Sequence, residues 1–133
     1  MIQTEGRIVT DIYKFIRQSA LAEAVSGNIY KSINRPPNSK EEDIVIKPLS
    51  NMPRQRQECV VNVNIYIPDQ LDDGQYDKNG ARCDELEEVA AQVLEVFHLE
   101  TARVILDTQH TYQVPEANAH VINNRLLYTI VNE

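Results

Sequence analysis

The stretch Glu58-Cys59-Val60-Val61-Asn62-Val63-Asn64-Ile65-Tyr66-Ile67 decides the architecture. Successive side chains of a strand point to opposite faces, so Cys59, Val61, Val63, Ile65 and Ile67 share one side while Asn62, Asn64 and Tyr66 share the other. A row of five apolar residues demands burial. The opposite face, with Val60, Asn62, Asn64 and Tyr66, is wet enough to be exposed yet able to pair with another subunit.

Working outward, Pro68 to Gly80 contains four Asp, two Gly and one Pro and reads as a turn-rich loop. A helix opens around Gly80, with Asp84, Glu85, Glu87 and Glu88 near its positive end. Cys83, Leu86, Ala90, Val93 and Phe97 form its apolar stripe, widened by Val89 and Leu94. Residues 103–114 alternate, placing Val104, Leu106, Tyr112 and Val114 on one face, and Pro115 to Asn118 turns the chain. His120 to Val131 returns through Ile122, Leu126, Tyr128 and Ile130, completing an antiparallel hairpin.

Upstream, Ile8, Ile12, Phe15, Ile16 and Leu21 recur at helical spacing, which predicts a helix over 7–25 with a break near Ser19 and a stop at Gly27. Asn28 to Ile33 is a short strand with Ile29 and Ile33 opposite Tyr30, and Arg35-Pro36-Pro37-Asn38-Ser39 is a loop. Asp43 to Leu49 forms a second strand with Ile44 and Ile46 facing one way, its end ragged at Pro48. Ser50 to Gln57 is a polar connection long enough to project. The order α-β-β-β-α-β-β specifies an α+β fold: a mixed, mainly antiparallel sheet with two amphipathic helices packed on one face. Within it the row Cys59 to Ile67 is expected to pack on the second helix through Leu86, Val93 and Phe97.

The 133 residues suit one α+β domain, 1–133, and 13 Lys plus Arg against 20 Asp plus Glu leave a net charge of −7. That balance argues against general neutralisation of nucleic-acid phosphates and predicts no sequence-specific nucleic-acid partner. Met1 to Arg7 lacks the basic start and apolar core of a secretory signal, and no run reaches the ~20 apolar residues of a spanning helix. The expectation is a protein made and kept in a cytosol, with no membrane partner. Cys59 and Cys83 are expected to be buried free thiols.

Chemistry finds little anchorage. The acidic loop fails the EF-hand pattern, because with Gly74 as sixth position Leu71 is third and Gly80 twelfth, where a carboxylate is needed. His98, His110 and His120 lack zinc-ligand spacing, although a turn at 115–117 would set His110 and His120 opposite each other as an incomplete ligand pair. No nucleophile elbow, phosphate loop or dinucleotide fingerprint occurs. The expectation is no enzyme, no catalytic residue, no cofactor and no metal.

Assembly is better supported. Arg54 and Arg56, near Lys47, form a basic segment without the aromatic residues that stack bases. Asp69, Asp72 and Asp73 form an acidic segment at the other end of the same strand, roughly 30 Å away if that strand is extended. The two cannot neutralise each other within one chain. Arg54, Arg56, Asp69, Asp72 and Asp73 are therefore the candidate subunit interface.

Several local patterns resemble the tail-terminator, or tail-completion, proteins of long-tailed bacteriophages and prophages. They are the N-terminal helix running into Ser26-Gly27-Asn28-Ile29-Tyr30, the loop Arg35-Pro36-Pro37, the strand Asp43-Ile44-Val45-Ile46, the long strand Val60 to Ile67, the acidic turn region, the helix from about Arg82 and the final hairpin. The resemblance implies a non-catalytic virion structural protein that forms a hexameric ring, caps the tail tube and joins it to the head. Its implied partners are further copies of itself, a tail-tube protein and a head-completion protein, and its implied locations are the bacterial host cytoplasm during assembly and then the virion tail. The alternatives are a non-catalytic α+β binding module, an assembly subunit of another complex, or a head-tail connector protein.

Overall fold

The computed structural model describes residues 3–31, 35–52 and 56–131. Among the described residues, three α-helices, α1 (Glu5–Arg17), α2 (Ala20–Ala24) and α3 (Gly80–Leu94), and a short 3-10 turn at Pro115–Ala117 accompany eight strands: β1 (Ile29–Lys31), β2 (Asp43–Met52), β3 (Arg56–Pro68), β4 (Gln70–Asp72), β5 (Gln75–Asp77), β6 (Val96–His98), β7 (Ala102–Val114) and β8 (Ala119–Val131). Six strands make one sheet in the order β1-β2-β3-β8-β7-β6, and β4 and β5 pair separately. Among the described residues, β1 pairs with β2 in parallel and the other pairings are antiparallel. The α+β class and the mixed, mainly antiparallel sheet are as the sequence indicated.

The central alternation holds in full. Cys59, Val61, Val63 and Ile65 are 0% exposed and Ile67 1%. They belong to one core cluster with Ile8, Ile12 and Ile16 of α1 and Leu86, Ala90 and Leu94 of α3. Neither helix has β3 as its nearest strand: α1 packs nearest β1 and β2, and α3 nearest β6, β7 and β8. The row shares its core with Leu86 and Phe97, as expected, with Val93 packed against it, and α1 contributes to the same core. The Phe15 ring of α1 stacks on Phe97 of β6 with centroids 3.8 Å apart.

Local chemistry sets the element ends. The Thr4 hydroxyl accepts from the Arg7 amide at 3.2 Å, starting α1 two residues before the predicted position. The break comes where predicted, because Ser19 donates through both its hydroxyl and its amide to Ile16 O and so closes the helix. Gly27 lies against the 41–43 segment, and a Cβ there would stand 2.6 Å from Glu42 O. Its amide donates to Glu42 O at 2.8 Å, and the Asn28 amide to Asp43 Oδ1 at 3.0 Å, which lays β1 beside β2. Ile33, predicted in that strand, lies outside the described residues.

Other boundaries differ for tertiary reasons. Residues 50–52 and 56–57, predicted as a projecting connection, continue β2 and β3, since pairing with the neighbouring strand satisfies their backbone groups. Leu49, left out of register between Pro48 and Ser50, bulges and is 54% exposed. Phe97 is not on the helical stripe, because α3 ends at Leu94 and residues 96–98 add an edge strand beside β7. The buried line on α3 is Cys83, Leu86, Ala90 and Leu94, with Val89 and Val93 at its flanks.

Candidate assembly surfaces

Helices cover one face of the sheet, and among the described residues none covers the other. Strand register builds that outer face in rows. Val60, Leu127, Ile105 and Val96 form one row, running from β3 through β8 and β7 to the edge strand β6. The next row is Lys47, Asn62, Arg125 and Thr108, followed by Val45, Asn64, Asn123 and His110. A fourth contains Tyr66, Val121 and Tyr112. Asn123 donates to Asn64 across the strands at 2.7 Å. Arg35 lies over the Tyr66 ring, 4.3 Å from its centroid, and donates to Asp43 Oδ2 at 3.0 Å. The polar-apolar mixture of Val60, Asn62, Asn64 and Tyr66, expected to be exposed, is half-buried and forms one strip of a four-strand surface.

Two residues expected with the core join this surface instead. The β7–β8 register shifts between Leu106 and Thr108, leaving Asp107 as an extra residue. One inserted residue inverts the alternation beyond it. Val104 faces the core at 0% exposure, whereas Tyr112, 42% exposed, and Val114 face outward. On the core side the same shift brings Gln109 and Thr111 against α3, where Gln109 donates to Glu87 O and Thr111 to Glu87 Oε2.

The predicted loop over 68–80 contains a hairpin. Asp73 and Gly74 both have positive φ, 49° and 80°, so they form the tight turn whose twist suits paired strands. Leu71 and Tyr76 are direct cross-strand partners, 64% and 50% exposed. All residues from 70 to 77 are exposed. An isolated two-stranded ribbon of this length is at best marginally stable in water. The Asp-Gly dipeptide flanked by Leu71 and Tyr76 was the sequence signal for it.

The five candidate interface residues separate. Asp72 and Asp73 stand exposed on the hairpin. Asp69 does not present its charge: its side chain is 2% exposed and its Oδ1 lies 2.7 Å from His120 Nδ1, which binds the hairpin base to β8. Arg56 opens β3, opposite Val131. Arg54 lies outside the described residues. β3 is continuous between the basic and acidic ends, thirteen residues long.

His120 stands opposite Gln113 and His110 opposite Asn123, so the hairpin does not juxtapose the two histidines as expected. Among the described residues, no group of three or more His, Cys, Asp or Glu is placed to hold a metal ion. Cys59 and Cys83 are buried free thiols; burial pushes Cys59 up to about 11 and raises Cys83 as well. Among the described residues, no helix is long and apolar enough to cross a membrane.

A chain with this fold has been solved in the virion of a native gene transfer agent (GTA) particle. The match has a TM-score of 0.59 and covers 92% of this chain and 93% of that one, at 11% identity. The shared property at that identity is the fold. No family model and no curated protein matches the sequence.

Proposed function

We propose that this chain is a tail-terminator subunit, a non-catalytic virion structural protein whose copies join head to tail in a six-membered ring. The ring caps the tail tube, stops its growth and offers a surface to a head-completion protein. It assembles in the host cytoplasm and ends in the virion tail. The observation that carries the proposal is the placement of two surfaces: an exposed acidic hairpin beyond one end of β3 and, running to the other, a sheet face that no helix among the described residues covers. Surfaces that differ and cannot meet within one chain favour a heterologous contact, the kind that closes into rings. Further support comes from the fold shared with a chain of a GTA virion, over nearly the whole of both chains.

Arg54 and Arg56 of one copy face Asp72 and Asp73 of the next, an arrangement that selects register and suppresses wrong pairings. Asp69 is reserved for His120. The test uses tail tubes grown in vitro from tail-tube protein and imaged by electron microscopy. Native chain should cap them at uniform length. Arg54→Glu with Arg56→Glu should leave overlong tubes without unfolding the chain, and Asp72→Lys with Asp73→Lys in the same chain should partly restore capping. Native chain that neither forms rings nor caps tubes would overturn the assignment.

A further inference from the structure

We propose that the β4–β5 hairpin is a docking arm that seats Leu71 and Tyr76 on the outer-face row Val60, Leu127, Ile105 and Val96 of a second copy of this chain. This deepens the ring proposal by naming the subunit contact, and rests on it only for closure into a ring.

Leu71 and Tyr76 lie side by side on one face of the hairpin, more than half and about half exposed. One apolar side chain left in water is ordinary, but two paired on a projecting ribbon make an anchor without a seat. The row offers that seat: Val60, Leu127 and Ile105 are half-buried in register, and Val96 is 46% exposed at the sheet edge.

Charge selects the partner. The hairpin carries Asp72, Asp73 and Asp77 around its two apolar residues, with Lys78 just beyond. Lys47 and Arg125 border the receiving row on one side and Arg103 on the other. Acidic groups near the row include Glu58, Asp107, which lies 4.0 Å from Arg125, and the exposed Glu95 that precedes Val96 at the sheet edge. In a chain of net charge −7, a strip whose cations match its acidic groups accepts this acidic hairpin better than the rest of the surface does, and Lys47 and Arg103 are the cations there that can meet Asp72, Asp73 and Asp77.

A chain cannot satisfy itself in this way. Val60 stands eight residues from Pro68 along β3, roughly 26 Å by strand rise, whereas the three-residue strands of the hairpin reach only about 10 Å. The contact therefore joins two copies. It also brings the acidic tip toward the Arg56 end, which begins four residues before Val60.

The experiment is sedimentation of the full-length chain over a concentration series at low and high salt. Native chain should self-associate, less so at high salt. Leu71→Ser with Tyr76→Ser should weaken association by at least ~tenfold with the melting transition unchanged, because the anchor pair lies outside the core. Arg103→Glu with Arg125→Glu should weaken it and lose the salt dependence. Mixed Leu71→Cys and Leu127→Cys chains should form a disulfide-linked dimer that neither forms alone. Native chain that stays monomeric, or a hairpin variant that associates like native, would overturn the docking. If that variant still caps tubes, the docking fails while the ring proposal stands. If native chain self-associates through the hairpin but never caps a tube, the ring proposal fails and the docking stands.

Discussion

Arg82 on α3 grips Glu42 with two parallel hydrogen bonds, Nε to Oε2 at 2.7 Å and Nη2 to Oε1 at 2.6 Å. The same Nη2 donates to Ala24 O at 2.8 Å, and Glu42 Oε1 also accepts from the Ser26 amide. One guanidinium thus ties the end of α2 and the segment before β2 to the start of α3, regions far apart in sequence.

Arg82→Ala should cost about 2–3 kcal/mol, below the usual loss from breaking a fully buried pair because the guanidinium is partly solvated. Arg82→Lys should recover little of this, since an ammonium cannot make the fork. Urea melts measure both. The Arg82 hydrogen bond, first among the causes, holds the Glu42 carboxyl below its ordinary 4.5. The native state therefore binds fewer protons at this site than the unfolded state, so its contribution is complete above about pH 4.5 and fades as pH falls through the lowered folded value. In Arg82→Ala that part of the acid sensitivity should vanish.

Val63→Asp should abolish folding. Val63 is 0% exposed at the middle of the core-facing row, and an unpaired carboxylate there costs several kcal/mol, comparable with the whole stability of a domain this size. Circular dichroism and solubility report the outcome; a cooperatively melting Val63→Asp protein would remove β3 from the core.

Gly27→Ala should be more damaging than glycine-to-alanine at Gly80. At Gly27 the added methyl meets the Asp43 carboxylate, which Arg35 holds in place, and the backbone Glu42 O, which accepts from the Gly27 amide, whereas at Gly80 nothing lies within 4 Å. A loss of roughly 2 kcal/mol or more at Gly27, against a gain or no change at Gly80, is the expected contrast in parallel melts.

Cys59 and Cys83 should be inert toward thiol reagents in the native state at pH 8. Burial keeps both thiols protonated, Cys59 with a value of about 11, and also blocks access. Two thiols should titrate once denaturant is added; rapid native labelling would show that the core opens near β3 or α3.

Melting curves with chelator, zinc or calcium should superimpose. The hairpin aspartates are exposed, no group of three or more potential ligands forms among the described residues, and Asp69 is already engaged by His120. A chelator-induced fall of several degrees would restore a metal to the account.

Alternation and helical spacing are properties of a few neighbouring residues, and where one face is solvated they determine what is buried. For that reason the core row Cys59 to Ile67, the face of α1 bearing Ile8, Ile12 and Ile16, and the break at Ser19 could be read from local pattern without a structure. The outer strip of β3 was legible on the same ground. Tertiary structure alone decided what depends on a partner strand. The extra residue at Asp107 became a bulge because β8 fixed the register on both sides, and this turned Tyr112 and Val114 outward. Phe97 left the helical stripe because the edge of β7 offered hydrogen bonds to residues 96–98. Asp69 lost its place among the exposed acids because His120, fifty-one residues away, met it at the hairpin base. The row from Val60 to Val96 exists only where four strands align, so no local period in the chain could announce it.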